Sequence, residues 1–180
     1  MRVILFHGTS GSPEKLWFPY MRERLEARGY EVIVPALPNA ASPDLETWLS
    51  AALTVTSYGT DTILIGHSSG GSLILSILER LETPVRQAIL IAAYFEPLIP
   101  GERYRILQPH YNWKKIRSMC RSFIFINSDN DPWGCDEHVG RSLVERLGGV
   151  LVVPKGEGHM GSVKFSQPYD EFPLLLKLVD

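Results

Sequence analysis

The stretch Thr62-Ile63-Leu64-Ile65-Gly66-His67-Ser68-Ser69-Gly70-Gly71 decides how this chain folds. It begins with a largely apolar run, which is typical of a buried strand, and it breaks on a glycine-rich turn before apolar residues return at helical spacing. Ser68 lies in a G-x-S-x-G pattern, in which the turn holds the serine in a strained conformation and its hydroxyl stands clear of the backbone. Side chains two positions before and after it would collide, and glycine avoids this. The stretch therefore predicts a strand, a sharp turn at Ser68 and a helix.

Composition limits the class of protein. A chain of 180 residues with 44% hydrophobic residues is large enough for a substantial core, so we expect one domain over residues 1–180. The net charge is -2 and no long single-sign block occurs, which argues against nucleic acid and membrane as partners. No leader segment is evident after Met1, and the two cysteines are expected to be separate thiols, so cytoplasmic localisation is the expectation. No spacing of His and Cys predicts a metal site.

Strand and helix patterns alternate along the chain. The predicted strands cover residues 2–6, 31–34, 87–92, 123–126 and 150–153, together with the apolar run that begins at residue 62. The predicted helices cover 14–27, 42–58, 69–81, 136–147 and 171–179. Ser42 is the predicted cap of the second helix. Between residues 93 and 117 the pattern is irregular and rich in proline and aromatic residues, and a loop of this length is usually functional. This alternation predicts a parallel sheet with helices on both faces.

Ligands bind at the carboxyl ends of the strands in such sheets, so the residues that follow each strand are the candidates for a site. Ser68 follows the third strand, Asp129 and Asp131 follow the fifth, and His159 follows the sixth. The chain order serine, aspartate, histidine is the order of the α/β-hydrolase triad. These residues predict a nucleophile, an acid and a base at one edge of the sheet. Either aspartate could be the acid, because Asp129 could instead cap the turn.

Each residue of such a triad has its own task. A serine hydroxyl attacks an acyl carbon only if a base accepts its proton, and the carboxylate holds the imidazole in the correct tautomer. The backbone N–H groups of Ser69 and Thr9 are the expected donors to the oxyanion that forms. His67 is expected to be packed and hydrogen-bonded, and His7 is expected to order the loop that contains Thr9.

The sequence resembles the small serine hydrolases of the retinoblastoma-binding protein 9 type, within the α/β-hydrolase superfamily. The resemblance rests on five motifs that span nearly the whole chain: His7-Gly8, Gly66-His67-Ser68-Ser69-Gly70, residues 111–116, Ser128-Asp129-Asn130-Asp131-Pro132 and Gly158-His159. It implies a compact three-layer α/β-hydrolase fold whose six-stranded, mainly parallel sheet has the order 2-1-3-4-5-6. It also implies Ser68 as nucleophile, Asp131 as acid, His159 as base and no cofactor.

The predicted activity is hydrolysis of a small ester, or of an amide or thioester, through an acyl-enzyme on Ser68. Tyr94, Phe95 and Trp133 are the candidate walls of the acyl pocket. The alternative is a protein-interaction module that keeps the fold with incidental activity. The sequence names no protein partner, and it contains no L-x-C-x-E stretch, so binding to the retinoblastoma protein is not implied.

Overall fold

The computed structural model describes residues 1–99 and 101–180. Pro100, in the irregular region predicted from the sequence, lies outside the described residues. The strands are β1 (Arg2–Phe6), β2 (Glu31–Ile33), β3 (Thr62–His67), β4 (Gln87–Ile91), β5 (Phe123–Ile126) and β6 (Val150–Val152). The helices are α1 (Phe18–Glu26), α2 (Leu45–Val55), α3 (Ser69–Arg80), α4 (Trp113–Ser118), α5 (Glu137–Leu147) and α6 (Pro173–Leu178).

The six strands form one sheet in the order β2-β1-β3-β4-β5-β6. Every pairing in it is parallel, which confirms the predicted order and makes the sheet wholly rather than mainly parallel. β1, β3 and β4 lie at its centre and are almost fully buried, because helices cover both faces. The carboxyl ends of β3, β5 and β6 therefore open onto the same edge.

The turn between β3 and α3 has the strained geometry that the sequence predicts. Ser68 has φ of 54° and ψ of -123°. A positive φ of this kind is energetically unfavourable for any residue that has a side chain. A Cβ at Gly66 would lie 2.6 Å from the carbonyl oxygen of Gly70, and a Cβ at Gly70 would collide with the carbonyl oxygen of Phe6. The two glycines thus let β1, β3 and α3 approach closely enough to form the turn.

Helices α1 and α2 begin three or more residues later than predicted. α1 begins at Phe18, with Pro19 in its first turn, because proline is tolerated there and would break a helix that started at residue 14. α2 begins at Leu45, and the Oδ1 of Asp44 accepts a hydrogen bond from the Thr47 N–H at 3.2 Å. The predicted cap at Ser42 is therefore wrong, since Asp44 performs that task.

The region 93–117 is not irregular throughout. Its last residues form α4, which the side chain of Asn112 caps through the Lys115 N–H at 3.0 Å. The helix has six residues, too few for a helical repeat to stand out from the sequence. Among the described residues, no helix has the length and apolar character that a bilayer crossing requires.

Candidate active site

Ser68 lies between the end of β3 and the first turn of α3. Its side chain is partly exposed, whereas Ser69 beside it is fully buried. Because Ser69 is the first residue of α3, its N–H has no acceptor within the helix. This N–H lies at the N-terminal end of the helix, which is the positive end of the helix dipole. An oxygen atom held beside Ser68 could accept a hydrogen bond from this N–H.

His159 and Asp131 form a buried pair. The Nδ1 of His159 lies 2.7 Å from the Oδ2 of Asp131, and the two residues are 5% and 8% exposed. The carboxylate also accepts a hydrogen bond from the Trp133 N–H at 2.8 Å. Because the carboxylate can only accept, Nδ1 of His159 carries a hydrogen, and in the neutral ring Nε2 is left free to accept a proton.

Asp129 lies on the same loop but has a different partner. Its Oδ1 accepts a hydrogen bond from the Gly156 N–H at 2.7 Å, and its side chain is exposed. This contact joins Asp129 to the turn after β6, whereas the alternative predicted from the sequence was a cap of its own turn. The structure therefore places Asp131, and not Asp129, against the imidazole.

The loop that carries His159 is held from several sides. The Ser128 hydroxyl donates to the Gly158 carbonyl at 2.7 Å, and the Asn130 Oδ1 accepts from the Gly158 N–H at 2.7 Å. On the other side, the Oε1 of Gln167 accepts from the His159 N–H at 3.0 Å while its Nε2 donates to the Glu157 carbonyl at 2.6 Å. The loop after β5 and the segment after His159 thus hold the backbone of His159 in place.

His67 is buried beneath this site, as the sequence predicts. Its Nε2 donates to the carbonyl oxygen of His159 at 2.8 Å, and its ring lies 4.9 Å from the ring of His159. Burial, with a smaller contribution from nearby His159, lowers the pKa of His67 to about 3. His67 is therefore neutral at ordinary pH and acts as a fixed hydrogen-bond donor to the His159 backbone.

His7 orders the loop after β1. The Leu37 N–H donates to its Nε2 at 3.1 Å, which leaves the hydrogen on Nδ1, 3.0 Å from the Gly8 carbonyl oxygen. Burial lowers the pKa of His7, so the neutral form persists. Two residues further on, the Thr9 N–H donates to the Oγ of Ser69 at 3.0 Å, so this predicted oxyanion donor already has a partner within the protein.

Ser68 and His159 both line one cavity of about 490 Å³. Among the described residues, the Ser68 hydroxyl and the His159 imidazole form no hydrogen bond. Hydrogen bonds between catalytic groups are often long without substrate and shorten when substrate binds. Gly8 lies directly against the serine, since a Cβ there would be 2.9 Å from the Cβ of Ser68. The cavity is within the size range of small-molecule sites.

Two of the three predicted pocket residues line this cavity. Tyr94 is buried in its wall, and Trp133 lies at its edge with its ring 6.2 Å from that of His159. Phe95 does not line it, so its assignment to the pocket is wrong. The Phe95 ring packs edge-on against Trp113 at 5.3 Å and under the guanidinium of Arg146 at 4.6 Å, which places it on the side of the sheet covered by α4 and α5.

Cys135 is a further residue of the cavity wall, and its side chain is completely buried. Ligand atoms of Asp131, Cys135 and His159 lie within 4.8 Å of one another. The Asp131 and His159 atoms are already bonded to each other, and burial raises the pKa of the Cys135 thiol well above its usual value. The thiol is thus protonated and packs beside the pair.

The sequence did not reveal the residues that hold the loop of His159 or the basic residues that line the cavity. Gln167 lies in a segment without periodicity, and only an antiparallel bridge between Ser162 and Gln167 brings it back to His159. Four basic residues around the cavity come from separate loops and have no common motif: Lys15, Arg103, Arg105 and Lys164. Polar residues beside the acid, such as Ser128 and Asn130, were the one available signal.

The wholly parallel sheet, its strand order and the strained serine at the end of β3 define an α/β hydrolase. Residues 3–179 match the family described as serine hydrolase. The chain therefore belongs to the serine hydrolase family.

Individual relatives agree with this assignment. YdeN of Bacillus subtilis (strain 168) is 35% identical over 165 residues, which cover 88% of this chain and 85% of YdeN. The serine hydrolase RBBP9 of Rattus norvegicus is 26% identical over 159 residues, 84% of this chain and 81% of that protein. The structure of the ydeN gene product superposes with a TM-score of 0.88 at 24% identity, over 98% of this chain and 95% of that one. That of alpha/beta hydrolase domain-containing protein 10 from mouse has a TM-score of 0.65 at 15% identity, over 98% and 85%.

Proposed function

We propose that this hydrolase cleaves small carboxylic esters through an acyl-enzyme on Ser68, with His159 as base and Asp131 as acid. The observation that carries the proposal is the buried His159–Asp131 pair, 2.7 Å apart, in the cavity that Ser68 also lines. The strained conformation of Ser68 supports the role of its hydroxyl as nucleophile.

The steps follow from these groups. The Ser68 Oγ attacks the carbonyl carbon as its proton passes to Nε2 of His159, and Asp131 stabilises the imidazolium through Nδ1–H. The tetrahedral intermediate then expels the alcohol, which takes the proton from Nε2. Water, deprotonated by His159, attacks the acyl-enzyme and releases the carboxylic acid and the free Ser68 hydroxyl.

The Ser69 N–H is the first proposed donor to the oxyanion, because α3 leaves it without an intrahelical acceptor. The Thr9 N–H is the second, and it would exchange the Ser69 Oγ, now 3.0 Å away, for the substrate oxygen. Apolar residues of the cavity, which include Leu16, Phe18 and Ile106, favour esters with an apolar portion.

Hydrolysis of p-nitrophenyl acetate tests the proposal. We expect Ser68→Ala to lose hydrolysis above the background rate and to lose labelling by a fluorophosphonate probe, which reacts with activated serines. Ser50→Ala is the matched control, since Ser50 is exposed on α2. A Ser68→Ala protein that turns over the ester at the wild-type rate would refute the proposal, and a wild type that neither labels nor hydrolyses any ester would favour an interaction module.

A further inference from the structure

The charged side chains around the cavity all have the same sign. Lys15, Arg103, Arg105 and Lys164 line it, and none of the described lining residues is an aspartate or a glutamate. The chain has 18 basic and 20 acidic residues. Four charged residues taken at random from this composition would be expected to include both signs. The mouth of the cavity is therefore positive in a protein whose net charge is negative.

Three of these cations lack an ion-pair partner. Arg105 pairs with Asp44 at 2.6 Å, whereas the ion pairs of the described residues include none formed by Lys15, Arg103 or Lys164. They come from three different connections, after β1, β4 and β6. Convergence of three separate segments on one opening concentrates positive potential there.

Lys15 and Lys164 are exposed and contact different parts of the cavity lining. The ammonium of Lys15 lies 3.4 Å from the carbonyl oxygen of Ser10, on the loop that contains Thr9, and its charge contributes to the lowered pKa of His7. The ammonium of Lys164 lies 4.5 Å from the ring centre of Trp133, and that ring lies 6.2 Å from the ring of His159. The two ammonium groups thus have different neighbours but line the same cavity.

Apolar and aromatic residues line the same cavity, among them Leu98, Tyr104, Ile106 and Trp133. Low-dielectric walls strengthen the attraction between the cations and an anion, because less water screens it. The cavity thus offers an apolar interior beside Ser68 and an unneutralised positive rim.

We propose that the enzyme selects esters that carry a carboxylate on the part of the molecule that reaches the mouth of the cavity. This inference rests on the proposed function, because it names the substrate class of the same site. The carboxylate lies near Lys15, Arg103 and Lys164, the apolar portion fills the interior, and the scissile carbonyl lies at Ser68.

Two pairs of esters test the charge preference. The first pair compares p-acetoxybenzoate with p-acetoxybenzamide, which places the charge on the leaving group. The second compares mono-p-nitrophenyl adipate with its methyl ester, which places the charge on the acyl group. Each kcat/KM is divided by the hydroxide-catalysed rate constant of that ester. We expect the anionic ester of at least one pair to be preferred about tenfold or more at low salt, and this preference to shrink as salt shortens the Debye length to about 10 Å at 0.1 M.

Charge-removal variants test which residues cause the preference. The triple variant Lys15→Gln, Arg103→Gln, Lys164→Gln should reduce the preference to within about twofold of unity, because the attraction falls with each cation removed. The matched control removes three exposed cations elsewhere on the surface: Lys114→Gln, Arg141→Gln and Lys177→Gln. This control should keep at least half of the wild-type preference, and circular dichroism checks that both triple variants fold.

The outcomes separate the two proposals. A wild type that hydrolyses neither the neutral nor the anionic esters, or a Ser68→Ala protein that hydrolyses them equally well, would refute the proposed function itself. Neutral and anionic esters hydrolysed equally by the wild type would refute the charge preference and leave the proposed function standing. A preference that survives in the Lys15, Arg103, Lys164 variant, or is lost equally in the control, would overturn the assignment to these three residues.

Discussion

At the scale of single residues, the two aspartates of the loop after β5 differ in what they contact. Asp131 lies against the imidazole of His159, and Asp129 caps the turn at Gly156. We expect Asp131→Asn to reduce kcat for p-nitrophenyl acetate by a factor on the order of 10⁴, because the amide favours the wrong tautomer of His159.

Asp129→Asn is the matched control for this change. Its amide oxygen can still accept the hydrogen bond from the Gly156 N–H, so kcat should remain within about threefold of wild type because the imidazole and its carboxylate are untouched. Steady-state kinetics of the two purified variants make the comparison. Equal losses in both variants would contradict the assignment of Asp131.

His67 makes the stability of the protein depend on pH. Its pKa is lowered from 6.5 to about 3 in the folded chain, whereas it returns to about 6.5 on unfolding. Its favourable contribution is therefore complete above about pH 6.5 and is lost as pH falls towards 3, with a slope of up to about 1.4 kcal/mol per pH unit. The buried His7 adds a loss of the same sign.

Urea unfolding between about pH 7 and pH 4.5 measures this dependence. We expect the free energy of unfolding to fall less steeply in His67→Gln than in wild type, since glutamine does not titrate in this range. His138→Gln is the control, because His138 is exposed. The same pH slope in His67→Gln and wild type would show that His67 is not held neutral by the fold.

At the scale of elements, the segment after β6 positions the imidazole by hydrogen bonds and not by secondary structure. The Gln167 side chain bonds the His159 N–H and the Glu157 carbonyl oxygen. It packs closely there, since a Cβ at Gly158 would lie 2.5 Å from the Gln167 side-chain nitrogen. We expect Gln167→Ala to lower kcat by about 10- to 100-fold with little change in KM, because a displaced base loop misaligns the proton transfer.

Gln108→Ala is the control, since its amide reaches Glu79 and has no contact with the base loop. The kinetics of both variants and their melting temperatures should be measured together. A Gln167→Ala protein with wild-type kcat would show that the remaining contacts of Ser128, Asn130 and Trp17 suffice to hold the loop.

The elements with a strong local pattern were predicted well from the sequence. β5 was predicted at its observed bounds and the strand before Ser68 was recognised, because long apolar runs and glycine turns are local signals. Helix starts were less accurate, since the cap at Asp44 and the late start of α1 depend on which of several competing polar residues and prolines the fold uses. Short α4 had too few residues to give a pattern.

At the scale of the whole molecule, the residues that meet at the site were only partly predictable. The rule that parallel strands end at one edge brought Ser68, Asp131 and His159 together. It could not tell that Phe95 packs away from the cavity, nor that Lys15 and Lys164 reach the same opening. Such placements depend on the course of long connections, which no local pattern encodes.

We propose that residues 1–180 form one cooperative domain, because a single hydrophobic cluster includes residues from β1 to the end of the chain. Buried Trp17 and Trp48 make tryptophan fluorescence a probe of this core. We expect the urea transitions followed by fluorescence and by far-ultraviolet circular dichroism to coincide. Two separated transitions would contradict a single domain.

The most direct test of the central claim is to trap the acyl-enzyme. Protein mixed with excess p-nitrophenyl acetate is quenched in acid within the first turnovers, digested and examined by mass spectrometry. We predict one acetyl group on the hydroxyl of Ser68, which is absent from Ser68→Ala and from denatured protein. An acetyl group found on another residue while Ser68 stays unmodified, in a protein that still turns over the ester, would contradict this account.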